Sequence, residues 1–138
     1  MQLSESQLAG ILEDSRTIAI VGLSPDPSAT SHQIAAYLQG AGYRVIPVHP
    51  KATEVLGEKV CPSLKDLPGP VDIINVFRRP EFIPEVAQEI LALPWKPRLV
   101  FIQLGIESRD GMALIEGAGI PYIEDRCIKI EHRRLVKN

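Results

Sequence analysis

A doubly wound α/β domain, with a mostly parallel five-stranded sheet and helices on both faces, is the fold class this sequence predicts. Three observations carry the prediction. The short apolar runs TIAIV at 17–21, VDIINVF at 71–77 and RLVFIQL at 98–104 are too continuous for half-solvated strands and suit strands covered on both sides. Between them lie stretches whose apolar residues recur at helical spacing. Glycine, proline and serine punctuate the junctions, so strands and helices alternate along the chain, as they do in a parallel sheet.

Each element has its own justification. Ser4 with Gln7 has the form of a capping box, and Leu8, Ile11 and Leu12 share one helical stripe, so residues 4–14 read as a leading helix. The run 17–21 is the first strand, ended by Gly22. After the loop GLSPDPSAT, Ser31 is placed to cap a helix that turns Ile34, Ala35 and Leu38 inward and stops at Gly40 and Gly42. Residues 43–48 form the second strand, and the connection 51–70 holds one short helical candidate at 63–67. The third strand, 71–77, leads to a helix with Ile83, Val86, Ala87, Ile90 and Leu91 on its inner face and Pro80 or Pro84 in its first turn, where a missing N–H is tolerated. The fourth strand is 98–104, and Ser108 caps a helix that ends at Gly119. Residues 121–123 make a short fifth strand, and CIKIEHRRLVKN closes the chain as a helix or tail. No repeat or low-complexity tract interrupts this order, so residues 1–138 read as a single Rossmann-like domain.

Composition narrows the function. A chain of 138 residues suits one domain with a real core. A formal net charge of −2 gives no general pull toward nucleic acid or an anionic membrane. The basic tail HRRLVK has no interleaved aromatics and reads as a solvated helix end. The apolar runs are strand-sized, short of the ~20 residues needed to cross a bilayer. The opening stretch, with Glu5, Glu13 and Asp14, lacks the layout of a signal peptide. Cys61 and Cys127 are too few for a disulfide framework, and the expected setting is the cytoplasm.

In an open parallel sheet a ligand lies beyond the carboxyl ends of the strands, where the strand order reverses. That rule selects the loops beginning at Gly22, Pro50, Phe77 and Gln103. In GLSPDP the glycine lets backbone approach an anion, and the following helix offers free N–H groups. The loop is not G-x-G-x-x-G, however, and would also serve as a plain turn. The second strand ends in VHPK: where a dinucleotide domain places an acid to hold a ribose hydroxyl, this chain has Lys51. A base there suits a ribose that itself carries phosphate, and one charge-assisted hydrogen bond to that group is worth about 1.5–3 kcal/mol. A solvated loop lysine is the other reading. FRRPE supplies Arg78 and Arg79, which can meet phosphate or stack on a base, beside Phe77, either a core residue or a platform for a base. QLGIES puts Gln103 and Gly105 where backbone can approach a ligand or simply turn.

Together the segments IVGLS, GYRVIPVHPK, GEKVCPSLKDLP, VDIINVFRRPE, VFIQLGI and AGIPYIEDRC closely resemble the stand-alone coenzyme A-binding domain proteins, relatives of the amino-terminal domain of the succinyl-CoA synthetase α subunit. The resemblance runs from about Arg16 to Cys127. It implies that coenzyme A, or an acyl-CoA, lies across the strand carboxyl ends. Gly22, Ser24 and Ser31 would then sit by the pyrophosphate. Val48, Pro50 and Lys51 would flank the adenosine, with Lys51 near the 3′-phosphate, and Phe77, Arg78 and Arg79 would line the other side. Gln103, Gly105 and Ile106 would follow the pantetheine arm. Two features depart from the family pattern. Its frequent Asn-Pro-Lys is here His49-Pro50-Lys51, which leaves open what replaces the asparagine, and Pro25 and Pro27 stiffen the phosphate loop.

Three functions fit these residues. The first is a coenzyme A-binding module without chemistry of its own, because the larger synthetases keep their phosphorylated histidine in a second domain. Of the histidines here, His32 opens the first helix after the phosphate loop, near phosphate or as a surface or capping group. The second is an NADP(H)-binding oxidoreductase fragment, since Lys51 equally suits a 2′-phosphate, although the glycine fingerprint and a catalytic domain are missing. The third is a coenzyme A-linked thiol redox protein. In EDRCIK, Cys127 lies between Arg126 and Lys129, and positive charge favours thiolate, whereas a cysteine packed behind the fifth strand is the plainer alternative. A metal site is not expected, because Cys127 and His132 lack companions and Cys61 is in another connection. The neighbouring acids Glu124 and Asp125 are expected to diverge, and no hydrolytic site is visible.

Overall fold

The computed structural model describes residues 3–136. Helix α1 (Glu5–Asp14) opens on the anticipated capping box: Ser4 Oγ accepts from the Gln7 N–H at 3.0 Å, and the Gln7 side chain accepts from the Ser4 N–H at 2.8 Å. Strand β1 (Thr17–Val21), helix α2 (Thr30–Gly40) and strand β2 (Arg44–Val48) follow. A small hairpin comes next, β3 (Glu54–Val55) with β4 (Glu58–Lys59). The chain continues through β5 (Ile73–Val76), α3 (Ile83–Leu91), β6 (Leu99–Gln103), α4 (Arg109–Gly117), β7 (Tyr122–Arg126) and α5 (Ile128–Leu135).

The five long strands pair in parallel in the order β2-β1-β5-β6-β7. From β1 the chain steps one way to β2 and then returns past it to β5, so the order reverses over the β1–β5 seam. Alternation along each strand divides the core. Ile18, Ile20, Ile73, Leu99 and Phe101 pack against Leu8 and Leu12 of α1, Ile34 and Leu38 of α2, and Ile128 of α5. Ala19, Val21, Ile74, Val76, Val100 and Ile102 pack against Ile83, Val86 and Ile90 of α3 and Ile115 of α4. Full burial of one such side chain is worth about 1.5–3 kcal/mol, so covering both faces favours the continuous apolar runs.

Several local expectations change. Helix α2 begins one residue before Ser31, with Ala29 at its cap, so Ser31 lies inside the first turn. Residues 63–67 condense to a 3₁₀ turn, Leu64–Asp66, closed by Ser63 and Asp66. The β3–β4 hairpin escaped the sequence because its turn uses Leu56 at φ +54°, a conformation a leucine does not advertise. Leu91, expected inside, is 38% exposed at the end of α3. The fifth strand continues to Arg126, and the tail is helix α5.

At the amino end of the sheet, Asp72 accepts from the N–H groups of Arg16 at 2.7 Å and Thr17 at 3.1 Å, with Arg98 at 3.7 Å. Burial alone would raise this carboxyl, but those partners outweigh it and hold it below its ordinary range. Helix α5 is fastened by Glu131, which pairs with Arg126 at 3.2 Å and Arg134 at 2.7 Å, and both arginines reach Glu5 of α1. The next residue, His132, is buried, hydrogen-bonded through Nδ1 to the Tyr37 hydroxyl at 2.7 Å and flanked edge-on by the Tyr37 and Tyr43 rings.

Burial lowers the pKa of His132 below its ordinary value of 6.5. Between the lowered native value and that of the unfolded chain, only the unfolded chain binds the proton, so stability rises with pH across this window. The urea midpoint should therefore fall as pH drops through about 6.5, and His132→Phe should flatten the fall. An undiminished fall in the variant would assign it to other groups.

Candidate functional site

The site is built on the end of β1. The Gly22 N–H donates to the Val48 carbonyl at 2.9 Å, and the Phe77 N–H donates to the Val21 carbonyl at 2.8 Å, so three loops leave the sheet in fixed register. Gly22 has φ +85°, and a Cβ there would stand 2.3 Å from the Phe77 carbonyl oxygen. Both facts require glycine. Beside this seam opens a cleft of about 480 Å³ that brings together the predicted Gly22, Val48, Pro50, Phe77 and Arg78. Its other walls come from residues the sequence reading had not assigned to the site, among them His49, Ser63, Leu64 and Glu89. Ser63 and Leu64 sit in the connection after β4, and only a motif-level reading of CPSLKDLP could have placed them there.

The loop after β1 folds onto α2 by satisfying its own polar groups. The Ser24 N–H donates to Ser31 Oγ at 3.0 Å, which is the work Ser31 does in place of capping. The Ser24 hydroxyl oxygen accepts from the Asp26 N–H at 3.1 Å. His32 Nδ1 lies 3.0 Å from the Ser24 carbonyl, which can only accept, so this nitrogen carries the proton. Asp26 is held low first by the Ser28 N–H and then by the Ser28 hydroxyl, so its charge is turned into the loop. No side chain caps α2, which leaves the first N–H groups of an 11-residue helix without that partner.

The second loop settles the place of His49. Its Nδ1 accepts from the N–H groups of Lys51 and Ala52, both at 3.1 Å, the turn-forming role that an asparagine oxygen plays in an Asx turn. The His49 N–H donates to the Cys61 carbonyl at 3.0 Å, so the β4 connection braces the loop from outside. Lys51 is exposed on the rim rather than lining the cleft.

In the third loop both arginines lean on Phe82, with Arg78 at 4.6 Å and Arg79 at 5.3 Å from the ring centre. Arg78 lines the cleft, and Arg79 is exposed outside it. Glu89 enters from α3, and its carboxyl is raised by burial and by Glu85, with Arg78 and Lys65 partly offsetting them.

The fourth loop forms a neighbouring stretch of the same edge rather than a wall of the cleft. Gln103 is 6% exposed, and its Oε1 has no hydrogen-bond partner among the described residues. The Gly105 N–H is taken by Asp125 at 2.8 Å, and the Ile106 N–H by the Gln103 carbonyl at 3.1 Å. Glu124 accepts from the Ser108 N–H and the Tyr122 hydroxyl, each at 2.9 Å. The adjacent acids thus diverge, as expected, and latch one loop from two points. Asp125, at φ +57°, sits in the register shift between Phe101 and Gln103, a bulge beside the site. Cys127 is 8% exposed and packs with the α1–α2–α5 core cluster. Of its basic neighbours, Arg126 pairs with glutamates and Lys129 lies over the Tyr37 ring at 5.3 Å.

Fold and site together define the class: a Rossmann-like domain with an open cleft at its switch point. The "CoA binding domain" family matches residues 16–133, and the chain belongs to it. It is 41% identical over 94% of both chains to "Uncharacterized protein YneT" of Bacillus subtilis. A solved protein of Thermus thermophilus, cell-free ID.343, superposes with a TM-score of 0.91 at 41% identity, covering 96% of this chain and 99% of that one. An ADP-forming acetate–CoA ligase of Archaeoglobus fulgidus is 23% identical over 89% of this chain, which spans only 19% of the ligase. The expected resemblance to the coenzyme A-binding domain family is borne out, and a larger relative is an ADP-forming acetate–CoA ligase.

Two substitutions probe this architecture. Gly22→Ala should lower stability by about 1–3 kcal/mol from backbone strain alone, read as a reduced unfolding midpoint. Gln103→Leu should raise stability by about 1 kcal/mol, because it removes a buried acceptor that has no donor.

Proposed function

We propose that the chain binds coenzyme A, or an acyl-CoA, along the carboxyl ends of β2, β1, β5 and β6, as a binding module without chemistry of its own. Membership of the CoA binding domain family supports the ligand. The observation that carries the reading is the cleft at the β1–β5 seam, where a glycine turn meets Arg78 within the walls and Lys51 on the rim. An adenosine fits between Val48, Pro50 and Phe77, which offer apolar surface. Its diphosphate runs toward the uncapped start of α2, where backbone N–H groups and the helix dipole favour an anion. The arm then follows the edge past Gln103, Gly105 and Ile106. A non-catalytic role agrees with the histidines of the loops: His32 and His49 both use Nδ1 to hold backbone. The same reading assigns Cys127 to the core.

The decisive measurement is calorimetry with coenzyme A, dephospho-coenzyme A and NADP. Wild type should bind coenzyme A most tightly. Lys51→Glu should weaken it more than about tenfold, the worth of one charge-assisted hydrogen bond. The variant should discriminate little against dephospho-coenzyme A, and its thermal unfolding should stay nearly unchanged because Lys51 is exposed. Equal binding of coenzyme A and dephospho-coenzyme A by wild type would remove Lys51 from this role, and tighter binding of NADP would overturn the choice of ligand.

A further inference from the structure

We infer that His49 is a second recognition residue for the phosphorylated ribose, donating a hydrogen bond from Nε2; the inference rests on the coenzyme A reading and deepens it. The chain of reasoning starts with the ring's other nitrogen. Nδ1 lies 3.1 Å from the backbone nitrogens of both Lys51 and Ala52. Those are N–H groups and can only donate, so Nδ1 presents its lone pair and the ring proton sits on Nε2. The two nitrogens lie on different edges of the ring, so pinning Nδ1 to the turn leaves Nε2–H directed away from it. His49 is half-buried and lines the cleft shared with Gly22, Pro50, Phe77 and Arg78. Among the described residues none accepts from Nε2. The chain therefore holds this donor on a cleft-lining side chain and leaves its acceptor to a ligand.

The chemistry of that acceptor follows from the neighbours. The ring that carries the donor also fixes the backbone of Lys51, so an imidazole N–H and an ammonium are presented from one turn. A phosphomonoester, with concentrated negative charge and three acceptor oxygens, is the group that satisfies both. An asparagine at position 49 would keep the acceptor for the Lys51 N–H, but its amide stops short of the Nε2 position. Histidine adds a reach toward the ligand that the shorter side chain lacks.

Calorimetry with coenzyme A and dephospho-coenzyme A on wild type, His49→Asn and His49→Ala tests this. His49→Asn should keep the turn, bind dephospho-coenzyme A as wild type does, and lose about tenfold on coenzyme A, one hydrogen bond to a charged group. His49→Ala removes the turn acceptor as well and should lose more than the asparagine variant on coenzyme A. Independently of folding in the variants, the ¹⁵N resonance of His49 Nε2 in the wild type should shift with coenzyme A and stay in place with dephospho-coenzyme A. Full coenzyme A affinity in His49→Asn, an equal loss on both ligands, or a resonance that moves alike with both would overturn the inference while leaving the coenzyme A reading intact. A wild type that binds neither ligand would bring down that reading and this one with it.

Discussion

Two backbone hydrogen bonds at the end of β1, from Gly22 to Val48 and from Phe77 to Val21, hold the open edge of this sheet together. They extend the parallel ladder one step beyond its last regular residues, into three loops that would otherwise diverge. The Phe77 carbonyl stands where a Cβ on residue 22 would be, so the approach is possible only with a glycine at that position. The cleft, its basic rim and the turn that presents Lys51 all take their positions from this seam. Interior β1 can serve as the anchor because it is covered on both faces and paired on both sides.

Around the seam, polar side chains are spent on backbone. Ser31 and His32 fold the loop after β1, His49 closes the turn before Lys51, and Asp125 with Glu124 latches the loop after β6. Buried or half-buried backbone groups need partners, and each of these residues supplies one. The consequence is preorganisation. Loops that are already ordered lose less conformational freedom when a ligand arrives, so more of the contact energy appears as affinity. Gln103 and Asn75 depart from this pattern, each with a buried amide oxygen that finds no donor among the described residues.

The rims of the sheet are managed separately. The outer edge of β2 is partly closed by the connection through Cys61, which exchanges hydrogen bonds with Pro47 and His49. The opposite edge, β7, ends in a bulge at Asp125 and passes directly into α5. Both devices break the long, flat row of free backbone groups that would invite another strand. The α5 helix is in turn tied to α1 through Glu131, Arg126, Arg134 and Glu5, so the two ends of the described chain support one another.

The alternation of strands and helices, the capping box at Ser4, the cap at Ser108, and the loops that carry the candidate site could be read from residue order, because apolar spacing, caps and turn residues act within a few positions of chain. The same local logic marked Gly22, Pro50, Lys51 and Arg78. It could not separate the wall residue Arg78 from the outlying Arg79, place Lys51 on the rim, or bring Ser63, Leu64 and Glu89 into the cleft. Nor could it show that His49 does the work of an asparagine, that Ser31 braces Ser24 instead of capping, or that Asp125 occupies Gly105. Strand order and the crossovers between strands set who meets whom across distances of 20 residues or more, as for Asp125 and Gly105. Such encounters leave no periodic trace in the chain, so only the folded sheet assigns each polar side chain its partner.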